Sequence, residues 1–422
     1  MTKLFGLIDG NSFYCSAEQA FAPSLRAKPL IVMSNNDGCA IARTPEAKAL
    51  GVKMGEPLHL LLKRPEGKDV VWRSSNYALY GDMSRRVYEV LAERVPSVEP
   101  YSIDEMFLDL TNIQDVVEFC RLLRRDVRQI AKIPTCIGVG PTKTLAKLAN
   151  KIAKTDPALQ GVCDLRQNST RTNYFDRMHV ADIWGVGWRG AERLNKLGVH
   201  TISEFVAADP VAVRAVLAVT GARVQAELQG ISCLGFNNLV ASRQSLALSR
   251  SFGQPVMNLA GLKEAVSGYA ASLAEKLRKA QQEAGYIWVF AHTNPHHPGP
   301  FYAGRRGLAL DPTDCSFILT RAALSLLKDL WRPDYKYIKA GVVLSELTAA
   351  GTQSTLFSHA SAKSKAAMTA IDKINDRYGA GTLLIGSTTK PKSWQPRRQQ
   401  CSPRYTTRLA EILKAEALGS DL

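Results

Sequence analysis

Two carboxylates stand side by side in YSIDEMFLDL, Tyr101 to Leu110, where Asp104 and Glu105 interrupt an otherwise apolar run. Met106, Leu108 and Leu110 alternate as one buried face of a strand should. An ionised carboxylate withdrawn from water is costly unless a partner neutralises it, and two neighbours also repel each other. From these residues alone two readings stay open: a solvated turn between strands, or a pair of ligands for a hard, oxygen-seeking cation such as Mg²⁺. A third acid bears on the choice. The run LFGLID ends in Asp9, and a continuous apolar run suits a strand buried on both faces. Should that strand lie beside the one carrying Asp104, three carboxylates converge and could hold two metal ions about 4 Å apart. Phosphoryl transfer uses such a pair: one ion lowers the pKa of an attacking hydroxyl, the other stabilises charge on the leaving group.

The elements that must position these acids belong to a large, basic chain. At 422 residues it exceeds a single hydrophobic core, so roughly two to four domains are expected. Lys and Arg total 54 against 38 Asp and Glu, a net charge of +16, which points to a polyanionic partner. Nucleic acid fits that charge best, because no apolar run approaches membrane-spanning length and no basic region with a long apolar core opens the chain. The chain reads as cytoplasmic and nucleoid-associated. Its eight cysteines form no C-x-x-C pair, which argues against a zinc site and against a disulfide framework.

Directly after Asp9, GNSFYCSAEQAF places Phe13 and Tyr14 four and five residues beyond the acid. Both rings could pack in a core. Alternatively Tyr14 lies under a nucleotide's sugar, where it would clash with a ribose 2′-OH and select deoxyribose. D-x-N-x-F-Y at the end of the first strand, with S-I-D-E roughly ninety residues on, resembles the Y-family translesion DNA polymerases. SNNDGCAIARTPEAKALGVKMG, Ser34 to Gly55, is similar to their bacterial UmuC branch, the type that supplies the catalytic subunit of DNA polymerase V. The resemblance implies that Asp9, Asp104 and Glu105 are the catalytic metal ligands for two Mg²⁺ ions. It also makes Tyr14 the sugar gate, with Phe13 beside it at the nucleotide. Arg43 and Lys48 are then available for the triphosphate. Many Y-family polymerases carry Tyr and Arg where this chain has Pro45 and Lys48. Pro45 has no N–H to donate, so the tyrosine's role is absent or passes to Arg43.

The implied fold class is mixed α/β and α+β, a right-hand polymerase with a palm at 1–18 and 76–170 and small fingers at 19–75. A thumb follows at 171–242, a little finger at 243–350, a linker at 351–360 and a basic C-terminal region at 361–422. Within the palm, SSNYALYGDMSRRVYEVLAERV spaces Met83, Val87, Val90 and Leu91 on one helical face. VVEFCRLLRRDVRQIAKI reads as a second covering helix, and a third begins near Thr142. In that third helix Lys143, Lys147, Lys151 and Lys154 recur at intervals of four, four and three and form one basic stripe. Such a stripe is ordinarily a solvated face. The resemblance singles out Lys154 as a triphosphate contact and leaves the other three as surface charge.

Residues 178–207 carry Gly185 and Gly187 followed by L-x-x-L-G-V-x-T, the spacing of a helix-hairpin-helix whose backbone amides grip DNA phosphate without reading sequence. From Arg243 the order is strand, helix (Leu259 to Glu283), strand, strand, helix (Asp314 to Leu330), strand. Arg243, Arg250, Arg305 and Arg306 lie on or beside its strands, where they could meet a duplex backbone. QSTLF, with Gln353, Leu356 and Phe357, resembles the bacterial sliding-clamp-binding pentapeptide. The last 63 residues, from Ala360, hold 11 basic and 5 acidic side chains, with Trp394 and Tyr405 among the basic ones. SPRYTTR, Ser402 to Arg408, again resembles UmuC proteins, which implies contact of the tail with a dimeric UmuD′-type accessory subunit and cooperation with a RecA filament.

The function so implied is error-prone, DNA-directed synthesis past lesions in the SOS response, adding deoxynucleoside triphosphates to a primer 3′-OH on primer-template DNA. Two alternatives stay in view. A catalytically inactive, clamp-bound Y-family scaffold would lose the metal-binding acids, and all three are kept here. A nucleotide cyclase shares paired carboxylates but needs neither a helix-hairpin-helix nor a clamp peptide.

Overall fold

A computed structural model describes residues 3–236, 243–296, 299–351, 362–379, 381–384 and 396–413. The clamp-type residues Gln353, Leu356 and Phe357 lie outside the described residues, as does Trp394. The chain divides into two compact units, one of Met1–Ser34, Gly38–Val240 and Gln400–Leu422, the other of Asn35–Asp37 and Ala241–Gln399. Among the described residues no helix is long and apolar enough to cross a membrane.

The first unit is built on two sheets. Its strands are β1 (Phe5–Gly10), β2 (Leu30–Met33), β3 (Ala40–Arg43), β4 (Val71–Ser74), β5 (Val98–Pro100), β6 (Glu105–Asp109), β7 (Thr135–Gly140) and β8 (Val162–Asp164). Five of them form a mixed sheet in the order β5-β6-β1-β7-β8, and three form a smaller sheet in the order β3-β2-β4. All six residues of β1 are buried, as its unbroken apolar run requires of a central strand. Antiparallel pairing sets Asp9 opposite Glu105 on one side and opposite Cys136 on the other.

The two faces of the large sheet have different covers. Ile8, Met106 and Leu108 join the main core with Met83, Val87, Val90 and Leu91 of helix Tyr77–Ala92 and Cys120, Leu123 and Val127 of helix Val116–Ala131. Phe5, Leu7 and Phe107 face the other way, against Ala146 of helix Lys143–Thr155. Asp9 and Glu105 continue this second row by the strand period of two, so both acids are on the face covered by the lysine-bearing helix.

That helix lies unusually close to β7. Its N-terminus is capped by Thr142, whose hydroxyl accepts from the Leu145 amide. Asn150, 2% exposed, donates to the carbonyls of Leu7 (3.0 Å) and Cys136 (2.7 Å) and fastens the helix to two strands at once. Gly138 makes the approach possible: a Cβ there would stand 2.0 Å from the Asn150 backbone nitrogen and 2.2 Å from the Ala146 carbonyl oxygen.

The second unit contains β9 (Ser245–Val256), helix Leu259–Lys279, β10 (Gln282–Thr293), β11 (Ala303–Thr313), helix Ser316–Leu330 and β12 (Tyr337–Ala349). The sheet order is β11-β10-β12-β9, antiparallel throughout. The helix expected to reach Glu283 stops at Lys279, because Gln281 takes a left-handed φ of 52° and turns the chain into β10, which carries Glu283. Helix Ala362–Tyr378 of the basic C-terminal region is anchored in this unit. Asp372 takes a bidentate pair of bonds from Arg278 at 2.6 and 2.7 Å, and Asp376 pairs with Lys279.

Gly138→Ala is expected to lower stability by about 3 kcal/mol, since backbone on both elements must give way. The midpoint of urea denaturation should fall with the slope of the transition unchanged.

Candidate active site

The acids meet at the rim of the large sheet. Glu105 opens β6, Asp104 precedes it, and the Gly10 amide donates to the Asp104 carbonyl at 2.9 Å, which ties the ends of β1 and β6 together. The Ser102 hydroxyl donates to Asp104 Oδ1 at 2.6 Å and accepts from the Glu105 amide at 3.0 Å. Directly opposed residues on antiparallel strands have Cβ atoms about 5 Å apart. The Asp9–Glu105 register therefore forces two like charges together.

Helix Lys143–Thr155 supplies the answering charges. Lys147 Nζ donates to both Glu105 oxygens at 2.6 and 2.7 Å, and Lys154 Nζ is 2.5 Å from Asp9 Oδ2. Lys143 donates to Glu99 at 2.6 Å, and Lys151 bonds Asp182. The stripe, with Lys143, Lys147 and Lys151 expected as surface charge and Lys154 as a triphosphate contact, is a row of four ion pairs, and Lys143 is only 4% exposed, beneath the rings of Phe107 and Phe236. Lys147 also lies 4.7 Å from the Tyr101 ring centre. Tyr101 in turn accepts from the Trp184 indole at 3.1 Å.

Burial raises the Asp9 carboxyl from its ordinary value to about 6; Lys154 opposes the rise, while Glu105 and Asp104 add to it. Among the described residues no three His, Cys, Asp or Glu side chains are gathered closely enough to ligate one ion as they stand. The donor set nonetheless suits a hard divalent cation: Asp9, Asp104 and Glu105 offer only carboxylate oxygen, and two of the three already recruit a cationic partner.

Tyr14 is half-buried on helix Phe13–Phe21, stacked on Tyr80 at 4.6 Å and edge-on to Tyr77 at 6.0 Å. Its phenol is raised from the usual value by burial first, then by the fields of Tyr77 and Asp104. Phe13, expected at the nucleotide, is instead packed in the main core. The Arg43 guanidinium donates to the Val52 carbonyl at 2.6 Å while its buried Nε has no partner among the described residues, and Lys48 is exposed on the short helix Pro45–Ala49 that follows. Ser12, in the turn between β1 and the Tyr14 helix, donates to the Arg43 carbonyl at 2.8 Å and links the two sheets at this point.

Farther along the first unit, Gly185 has a φ of +89° and Gly187 precedes helix Trp188–Asn195. Helix Ile202–Ala207 follows with a capping box from Thr201 and Glu204. In the second unit Arg243, Arg250, Arg305 and Arg306 are all exposed. Register separates them: Arg306 opposes Val289 and Arg250 opposes Ala340, both on the helix-covered face, whereas Arg305 opposes Phe290 on the open face, with its guanidinium 5.2 Å from the Trp288 ring centre. Asn150 and the partners of Lys143, Lys147 and Lys151 were not anticipated from the sequence. The helical lysine spacing signalled a shared face, but not which way it points.

A sheet carrying acids at its rim and, as a second unit, a β-α-β-β-α-β fold are the parts of a Y-family DNA polymerase. Two solved structures share it: a Y-family polymerase chimera of Dbh and Dpo4, with TM-score 0.65, 20% identity, and coverage of 81% of this chain and 98% of that one; and a Dbh ternary complex, with TM-score 0.54, 19% identity and the same coverage. The chain belongs to the impB/mucB/samB family, the UmuC type of Y-family DNA polymerase, whose model matches residues 8–151 and whose C-terminal domain model matches residues 243–356. A domain of unknown function, DUF4113, matches residues 365–415. Protein UmuC of Salmonella typhimurium is 38% identical over 422 residues, covering 98% of this chain and 100% of that protein. Protein MucB of Escherichia coli is 38% identical, covering 96% and 97%. DNA polymerase IV 1 of Bacillus subtilis is 27% identical, covering 91% and 92%. The chain is accordingly a DNA-directed DNA polymerase of the translesion type, and membership implies use of divalent metal in general.

Ionising Asp9 at pH 7 costs the folded chain about 3 kcal/mol, from a carboxyl held near 6. In chelated buffer Asp9→Asn should therefore be more stable than the native chain by about 1–3 kcal/mol at pH 7, a figure that already includes the Lys154 pair. The folded native chain keeps its proton to higher pH than the unfolded one. Its stability thus rises as pH falls from 7 through 6 toward 4, and the advantage of the variant should vanish over that window in urea titrations.

Proposed function

We propose that the acidic rim is where this polymerase joins a deoxynucleotide to a primer 3′-OH, and that Asp9, Asp104 and Glu105 hold its Mg²⁺ ions. The carrying observation is the Asp9–Glu105 register, a like-charge pair balanced by Lys147 and Lys154. Bound there, Mg²⁺ would lower the pKa of the primer hydroxyl and balance charge on the departing pyrophosphate. The chain's own groups bind and orient the reactants. Lys154, released from Asp9, reaches the triphosphate together with Arg43 and Lys48, whose charges suit phosphate oxygens. Tyr14 closes the space where a ribose 2′-OH would sit. Amides at Gly185 and Gly187, and in the second unit Arg243 and the open-face Arg305, hold the DNA by its phosphates, without sequence preference; Arg250 and Arg306, on the helix-covered face, add to the positive field.

Partners follow the family resemblance. Gln353, Leu356 and Phe357 suit a sliding clamp, and the C-terminal region suits a UmuD′-type dimer and a RecA filament, which places the enzyme on the nucleoid during the SOS response. The test is primer extension across an abasic template site with Mg²⁺, the accessory dimer and the RecA filament present. Extension by the native chain and none by Asp104→Ala is the expected result. DNA and clamp binding without nucleotide addition by the native chain would replace the catalytic reading with a scaffold. Lys154→Ala should raise KM for the incoming nucleotide roughly tenfold, as loss of one charged phosphate contact does.

A further inference from the structure

The C-terminal segment after Gln399 belongs to the first unit and lies along Ser74, Asn76, Glu18 and Phe21. Ser74, the last residue of β4, exchanges backbone bonds with this segment: its amide donates to the Gln400 carbonyl at 3.0 Å, its hydroxyl accepts from the Gln400 amide at 3.0 Å, and it forms a parallel bridge with Cys401. Asn76, the N-cap of helix Tyr77–Ala92, donates to the Ser402 carbonyl and hydroxyl and to the Pro403 carbonyl at 3.0 to 3.1 Å. Two residues on, Tyr405 stacks on Phe21 at 5.0 Å with ring planes 9° apart. Five of the six residues from Gln400 to Tyr405 thus form a built contact rather than a loose end.

At its centre is a buried acid that the polymerase chemistry does not use. Glu18, 1% exposed, takes two hydroxyl donors on the same oxygen: Ser402 at 2.9 Å and Tyr80 at 2.7 Å. Tyr80 is fully buried and carries Tyr14 on its ring face. An unbroken line therefore runs from the tail hydroxyl through Glu18 and the Tyr80 phenol to the ring read above as the sugar gate. Buried acids are tolerated only when their oxygens are satisfied, so removal of one donor leaves Glu18 and Tyr80 to rearrange. Exclusion of a single hydroxyl depends on ring placement to a fraction of an ångström.

We infer that the segment Gln400–Tyr405 is a support for sugar selection, in which Ser402, Glu18 and Tyr80 are positioning residues that hold Tyr14 against the incoming nucleotide. The inference rests on the reading of Tyr14 as the sugar gate. It gives one part of the domain of unknown function a task inside the polymerase itself.

Single-nucleotide insertion by the full-length chain, with the UmuD′-type dimer and RecA filament supplied, gives kcat and KM for a deoxynucleotide and for the matching ribonucleotide. Ser402→Ala should keep deoxynucleotide kcat within about twofold. Its deoxy-over-ribo preference in kcat/KM should fall roughly tenfold, as for one lost hydrogen bond to a buried carboxylate. Ser402→Thr, which keeps the hydroxyl, should restore the preference. Tyr80→Phe should weaken it as well, and the double variant should fall no further than the larger single change, as linked residues do. Tyr14→Ala is the reference for a lost gate. Native preference in Ser402→Ala beside a lost preference in Tyr14→Ala overturns the support and leaves the gate standing. Native preference in Tyr14→Ala overturns both. A parallel loss of both nucleotide activities with a lowered Tm, unrescued by threonine, assigns the segment to stability alone and also overturns the inference.

Discussion

The first unit is arranged around an electrostatic conflict that the backbone will not release. Asp9 and Glu105 are opposed by strand register, and a slip of one residue would turn every side chain of β1 to the wrong face of a sheet buried on both sides. The charges must be answered where they stand. Helix Lys143–Thr155 answers them because it lies on that face, because Lys147 and Lys154 are two turns apart on its inner side, and because Gly138 and Asn150 clamp it to the strands. Lysine ends a flexible chain in a point charge, so each pair can open without moving the backbone. A guanidinium locked into a planar fork would be slower to yield the carboxylate.

The raised Asp9 carboxyl measures how far this arrangement is from a stability optimum. Local strain of that kind gathers at sites where chemistry needs it and is offset by the surroundings. Here the offset is the packing beneath: Phe5, Leu7 and Phe107 on one face, and the large core of Ile8, Met106 and Leu108 on the other.

Much of this was legible in the chain itself. LFGLID and EMFLDL are strands with too much apolar length to be surface, so their acids had to sit at an edge. The β-α-β-β-α-β order of the second unit follows from long, cleanly periodic segments. What escaped detection involves direction and distance. Lysines at intervals of four, four and three look the same whether the helix turns them to water or to a sheet, and only packing decides it. Phe13 and Tyr14 are adjacent aromatics of equal promise in sequence, yet the helix sends one into the core and leaves the other at the rim. Asn150, mid-helix and polar, carries no local mark of its two strand carbonyls. The contact of Ser402 with Asn76 joins residues 326 positions apart, beyond any periodicity.

That separation also sets an order of events during synthesis. Chains leave the ribosome at roughly 5–20 residues per second, so Asn76 emerges on the order of half a minute before Ser402, with the whole second unit made in between. The strands and helices of the first unit can assemble in that interval, but the edge at Ser74 and the buried Glu18 stay without their last partners until Gln400–Ser402 has been made. A nascent or interrupted chain that lacks Gln400–Tyr405 therefore holds a first unit with an open flank at Ser74, Asn76 and Glu18, exposed to proteases and chaperones.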